Sequence, residues 1–394
     1  MSHELISRSS DLARLRDAGY EVEIRASHLL VHSIPYVNAR RELAFGTLVS
    51  SLELAGDTTK RPDQHVAFFI GDHPCNKDGS TLTAIVHSTC KQQLAQELTV
   101  DHSFSNKPSQ GYGDYFEKMT RYIEIVSAPA QSLHSCVTAK TFKVVDSPAE
   151  DGVFAYMDTA SARAGTAAIS DKLRMSKVAV IGLGGTGSYL LDLLSKTPIR
   201  EIHLFDADEF LQHNAFRSPS APSKQELTMQ PKKVAWFKEI YSKMHLGIVA
   251  HAFNVDHSNV ATLNGFDFVF LCIDSGSARK MIVSYLLSVG VPFIDTGIGV
   301  EMDVEHLRLR GAFRITTGTN KKSNHLTKRI PFENELDDDV YRSNIQTADL
   351  NACCAALAVI KWKKYCEFYA DTVEEHDTTY TTAFNLLTSE EEMI

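Results

Sequence analysis

At 394 residues the chain exceeds one ordinary domain, and two are expected. Apolar residues make up 43% and charged residues 23%, the balance of a globular protein, and no apolar run reaches the length of a bilayer span. The formal charge of −9 argues against a nucleic-acid partner, while an amino terminus without a signal-peptide core and 7 irregularly spaced cysteines point to a cytoplasmic protein without a disulfide framework.

Residues 1–150 read as a β-rich α+β domain, suited to partner recruitment. Asp11 to Ala18 predicts a short helix ended by Gly19. Short β-leaning runs follow at Tyr20 to Arg25, Leu29 to Ile34, Gly46 to Leu54, His65 to Ile70 and Leu82 to His87, punctuated by Gly, Pro, Asn and Asp. Asp114 to Ser127 predicts a helix with the aspartate as its N-cap. His73-x-Cys75 and His87-x-x-Cys90 form a tetrahedral ligand pattern on paper. Such residues in short β-segments are more often core or surface, so structural zinc is not expected. Asp146 to Gly152 reads as the junction.

Residues 151–394 change character. Val178 to Ile181 predicts a buried parallel strand that breaks into a turn bearing Gly182, Gly184, Gly185 and Gly187, with a helix beginning near Ser188. Such a turn lets the backbone approach an anion, and the helix N-terminus offers free N–H groups to phosphate. The motif alone is shared by dehydrogenases, methyltransferases and adenylate-forming enzymes.

The next strand, Glu201 to Asp206, ends in a carboxylate where ribose hydroxyls are usually bonded. Asp206-Ala-Asp208 runs on to Asn214 and Arg217, and an ordinary NAD site has no use for those two. An arginine fork does suit phosphoryl oxygens. Lys232 and Lys233 precede an amphipathic stretch (Val234, Trp236, Phe237, Ile240, Tyr241, Met244) whose phase favours Lys233 at the helix start. Phe268 to Asp274 reads as a buried strand ending in a second carboxylate, with Arg279 beyond it. Pro292 to Gly299 and Leu309 to Ile315 read as further strands, and Asp349 to Trp362 as a helix.

Taken in order, the glycine turn, the D-x-D-x-(apolar)-x-x-x-N-x-x-R run, Lys233 and Asp274 resemble the ThiF/MoeB superfamily, the ATP-dependent activators of ubiquitin-like proteins. The resemblance spans about residues 155 to 370. It implies a Rossmann-like, mostly parallel sheet flanked by helices. It also implies attack of a terminal glycine carboxylate on the α-phosphorus of ATP, giving an acyl adenylate and pyrophosphate. By resemblance, Gly182, Gly184, Gly185 and Gly187 lie under the nucleotide and Asp206 holds ribose. Asp208, Asn214, Arg217 and Lys233 belong to the ATP site, and Asp274 holds magnesium.

Arg163 is the candidate for an arginine that relatives supply across a homodimer, although its spacer to the glycine turn is short. Ser218 stands where the family has Gln, and the family's C-terminal zinc ribbon is absent. The crossover loop that normally carries a thioester cysteine, Thr316 to Gln346, contains none. Cys353 and Cys354 are the next candidates, activated only if their helix starts as late as Asn351, and Cys75, Cys90 and Cys136 of the first domain come after them.

The expected function is activation of a ubiquitin-like or sulfur-carrier protein in a bacterial-type pathway, with a conjugating enzyme as a further partner. Adenylation of a small molecule or tRNA base without a thioester step is the alternative, followed by a non-catalytic ATP-binding scaffold.

Overall fold

The computed structural model describes residues 2–145, 152–156, 158, 160–161, 166–332 and 345–390. The chain divides into two compact units, Met1–Gly152 with Tyr156–Asp171, and Val153–Ala155 with Lys172–Ile394. None of the described helices is long and apolar enough to cross a membrane.

In the first unit a short helical segment, Ser2–Arg8, precedes helix α1 (Ser10–Asp17), which is closed where Gly19 adopts φ +96°. Beside two small two-stranded pairs, six strands form the main sheet: β1 (Glu21–Arg25), β2 (His28–Val37), β3 (Leu43–Ser51), β4 (Val66–Ile70), β5 (Val86–Ser88) and β6 (His102–Ser105). They pair in the order β1-β2-β3-β4-β6-β5, every neighbour antiparallel.

Helix α2 (Tyr115–Leu133) begins as its sequence directs, with the Asp114 carboxylate accepting the Glu117 N–H at 2.7 Å. It lays Tyr115, Met119, Tyr122 and Val126 against Leu29, Leu48, Phe69 and Phe104 of the sheet. The helix runs past Ser127 and through Pro129, because Pro129 and Ala130 are themselves buried. Tertiary burial there outweighs the local penalty of an interior proline.

The paper zinc set does not come together. His73 packs edge-on against His102 with ring centroids 4.8 Å apart, and the Cys75 thiol donates to the His73 carbonyl. His87 bonds Ser103, and Cys90 is exposed. Among the described residues no group of three or more His, Cys, Asp or Glu side chains is arranged to hold a metal ion.

The second unit is a mixed α/β layer structure of the Rossmann-like kind. Its strands are β7 (Lys177–Ile181), β8 (Glu201–Phe205), β9 (Ile248–His251), β10 (Phe268–Leu271), β11 (Phe293–Asp303), β12 (Arg308–Gly318), β13 (Asp377–Thr381) and β14 (Leu386–Glu390). They pair in the order β9-β8-β7-β10-β11-β12-β13-β14. The first five are parallel and the rest antiparallel.

Alternate residues of β7 serve two cores. Val178 and Val180 meet helices α3 (Gly185–Leu194), α4 (Lys233–Tyr241) and α6 (Ala348–Tyr365), while Ala179 and Ile181 face the core that includes α5 (Gly276–Val289). Burial on both faces is why these strands read as continuous apolar runs. The chain leaves β7 toward β8 and β9, then returns to place β10 on the other side of β7. That reversal opens a crevice at the carboxyl ends of β7 and β10, where open α/β sheets bind ligands.

Candidate active site

The glycine turn is built by four different demands. Gly182 sits at φ +88°, and a Cβ there would lie 2.4 Å from the Cys272 carbonyl oxygen. A Cβ on Gly187 would lie 1.9 Å from the Gly182 carbonyl, so the first turn of α3 rests directly on the turn before it. On Gly185 it would strike the Asn351 amide of α6, whose Oδ1 accepts the Thr186 hydroxyl at 2.9 Å. Gly184 differs: a Cβ there meets nothing within 4 Å. Its open side faces the crevice at the N-cap of α3.

Asp206, just past β8, is only 6% exposed and ties this turn down. Its carboxylate accepts the Leu183 N–H at 2.7 Å and the Asp208 N–H at 2.8 Å. Lys233 opens α4, and its side chain is 8% exposed, with Nζ 2.7 Å from Asp208 Oδ2 and 3.6 Å from Asp206 Oδ2. An ammonium buried this far is tolerated only when paired, which the two carboxylates provide. Lys232 turns away, donating to the Ala207 carbonyl and lying 3.8 Å from Glu209.

Asn214 is buried, and its Oδ1 accepts the Leu211 N–H at 2.8 Å, closing the short helical turn Gln212–Ala215. The hydroxyl of Ser218 donates to the Asn214 carbonyl, so both residues shape the loop that presents Arg217. Arg217 lines the crevice, and its Nε–H is buried without a hydrogen-bond partner among the described residues. A guanidinium N–H left so is costly, and an anionic ligand would satisfy it.

Strand β10 stops at Leu271, so Asp274 lies three residues beyond the strand it was expected to end, exposed in the crevice wall. The crevice measures about 1550 Å³ and is lined by Gly182, Gly184, Gly185, Asp206, Asp208, Arg217, Lys233 and Asp274. Gly187 and Asn214 stand behind it. A volume beyond the ~300–1,000 Å³ of a small-molecule site leaves room for part of a second reactant. Arg163 lies outside the described residues.

The cysteines of this unit are quiet. Helix α6 starts at Ala348, which puts Cys353 and Cys354 past its first turn. Cys353 is exposed, yet partial burial of its thiol and the Asp349 carboxylate raise its pKa. Cys354 is fully buried, and its pKa is pushed well up by desolvation. Burial likewise pushes Cys272 and Cys366 up to about 12. Sequence spacing did not reveal that Cys272 and Asn351 stand against the glycine turn. It also did not reveal that Arg314, on β12, lines the crevice with Asp295 of β11 buried behind it. The partner in each case is distant along the chain.

A doubly wound sheet with a glycine-rich turn and a crevice at its reversal point is the arrangement in which open α/β folds bind ligands. A family model for the ThiF family matches residues 158–383, and the chain belongs to that family. Residues 10–159 match a domain of unknown function, DUF6791.

Among relatives, the SUMO-activating enzyme subunit 2 of Dictyostelium discoideum is 32% identical over 129 residues, covering 32% of this chain and 19% of that protein. The tRNA threonylcarbamoyladenosine dehydratase of Haemophilus influenzae is 25% identical over 118 residues, 29% of this chain and 44% of that one. Both matches span less than half of the curated relative's length. The crystal structure of E. coli MccB with ATP aligns at a TM-score of 0.45 and 19% identity, over 56% of this chain and 65% of that one.

Proposed function

We propose that this chain uses ATP to adenylate the C-terminal carboxylate of a small protein of the ubiquitin-like or sulfur-carrier class. The observation that carries the proposal is the unpartnered, buried Nε–H of Arg217 in the same crevice as Lys233 and the open face of Gly184. The Arg217 donor and the space over Gly184 would take phosphate, with the paired Lys233 beside them. A carboxylate oxygen of the substrate protein attacks the α-phosphorus of ATP, the bond to the bridging oxygen breaks, and pyrophosphate leaves with the electron pair.

The protein's part is alignment and charge neutralisation. The glycine turn and the α3 N-terminus take the phosphates, Arg217 and Lys233 hold their charge, Asp208 orients Lys233, and Asp206 faces ribose. Asn214 acts by shaping the Arg217 loop. Magnesium bound to the phosphates would offset their charge. It typically takes only one or two protein carboxylates beside phosphate and water, which the exposed Asp274 fits. Residues 1–150 recruit the substrate or a conjugating enzyme, and a homodimer would let Arg163 act in trans.

The test is ATP–pyrophosphate exchange that depends on a small protein ending in glycine. Exchange with one such protein is expected, and its absence with every encoded candidate would remove the substrate assignment.

The raised thiols of Cys353, Cys354, Cys272 and Cys366 favour a reaction that stops at the adenylate, without a thioester on this unit. In that version the acceptor takes the acyl group directly, and the substrate class widens to a small molecule or a tRNA base. A thiol-sensitive covalent adduct on Cys353 or Cys354 would refute it.

A further inference from the structure

Asp295, on β11, has a fully enclosed side chain shared between two arginines. Arg279 donates from Nε to Oδ1 at 3.0 Å, and Arg314 donates from Nη2 to Oδ2 at 2.6 Å. Arg314 reaches it by crossing Gly297, where a Cβ would lie 3.0 Å from Nη2. Arg279 spends its other donors on main chain. Nη1 holds the Pro331 carbonyl at 3.0 Å, and Nη2 holds the carbonyl of Ile273.

Two guanidiniums and one carboxylate, all largely out of water, are an expensive way to hold a fold together. Apolar residues of the same volume often do as well or better. What the cluster supplies is direction. Ile273 is the residue before Asp274, and fixing its carbonyl fixes the peptide plane from which Asp274 projects. In the same stretch, between the end of β10 and the N-cap Ser275, the Cys272 N–H donates to the Ile181 carbonyl at 2.8 Å and the Thr296 hydroxyl to the Cys272 sulfur at 3.3 Å.

We propose that Asp295 and Arg279 are positioning residues, a buried strut that aims Asp274 at the metal–phosphate end of the nucleotide. The inference rests on the nucleotide reading above. Groups standing behind a metal ligand commonly change metal-linked affinity or activity by about 10–100-fold when altered.

The experiment measures affinity for a fluorescent non-hydrolysable ATP analogue, with magnesium and with EDTA. Wild type, Arg279→Lys, Asp274→Ala and the double variant are compared, and folding is checked by thermal melting. Arg279→Lys should lose about tenfold or more in affinity with magnesium and little in EDTA. The double variant should be no weaker than Asp274→Ala alone, because both substitutions remove one function. Asp295→Asn, which keeps the side-chain shape, should give the same magnesium-specific loss and serves as the second route if Arg279→Lys does not fold.

Losses that persist equally in EDTA, or that add in the double variant, would overturn the strut. Wild type that binds no analogue under either condition would overturn the nucleotide reading and the strut with it. Wild type that binds, with unaltered magnesium linkage in both folded variants, would overturn the strut alone.

Discussion

Alanine at Gly184 would place a methyl group where no described residue lies within 4 Å. The residue has φ −71° and ψ −151°, a negative φ at the margin of the extended region, so the fold should tolerate the change at a small cost. Loss of glycine's freedom in the unfolded chain, worth about 0.4–1 kcal/mol, offsets part of that cost. The methyl nevertheless projects into the crevice where phosphate is proposed to lie against the turn. Crowding a close-packed contact by one methyl costs about 1–3 kcal/mol. At roughly 1.4 kcal/mol per decade, that is about a 5- to 150-fold loss of ATP affinity.

Gly187→Ala is the matched control, because its Cβ would lie 1.9 Å from a backbone oxygen and must displace the turn itself. The assay is analogue binding beside a thermal melt of each variant. Gly184→Ala should melt near wild type while binding weakly, and Gly187→Ala should melt well below it. A folded Gly184→Ala with wild-type affinity would refute the placement of phosphate on this turn.

Arg217→Ala should lower the rate of pyrophosphate exchange by about two to three orders of magnitude with little change in melting temperature, as loss of a preorganised donor commonly does. A smaller effect would shift the phosphate role elsewhere. Asp274→Ala should abolish exchange in a folded protein, since the side chain is exposed and contributes little packing. Retained exchange would end its magnesium role. Replacing both Cys353 and Cys354 by Ala should leave exchange near wild type, and its loss in folded protein would show that a thiol takes part in the first step.

In the first unit, Lys118 is fully buried against Ser50 Oγ and the Gln64 carbonyl, each at 2.9 Å, and burial lowers its pKa to about 7. From there to about 10.4 the unfolded chain binds a proton that the folded chain does not, so stability should rise with pH across that window. The rise is at most about 5 kcal/mol. Chemical denaturation of Lys118→Met from pH 7 to 9.5 should show that slope removed, and an unchanged slope would refute the assignment.

The sequence by itself determined the order of parts on the nucleotide side of the second unit. The apolar run of β7, its glycine turn, Asp206 after β8 and Lys233 at the start of α4 are constraints acting over a few residues. Backbone sterics and helix phase write them directly into spacing. The same locality made the start of α2 legible at Asp114.

Contacts between distant segments were decided by tertiary structure alone. Gly185 must be glycine because Asn351 of α6 leans on it, a partner no spacing within the turn reveals. Asn214 lies close to Arg217 in sequence and suits phosphate as well, yet in the fold its Oδ1 closes a helical turn behind it. Asp295 sits in an apolar run on β11, and only the pairing of β11 with β12 and the return of α5 bring Arg314 and Arg279 to it. The reactivity of the cysteines was hidden for the same reason. Desolvation, which raises those thiols, depends on what the whole sheet and its helices stack over them, and that is set by packing rather than by neighbours in the chain.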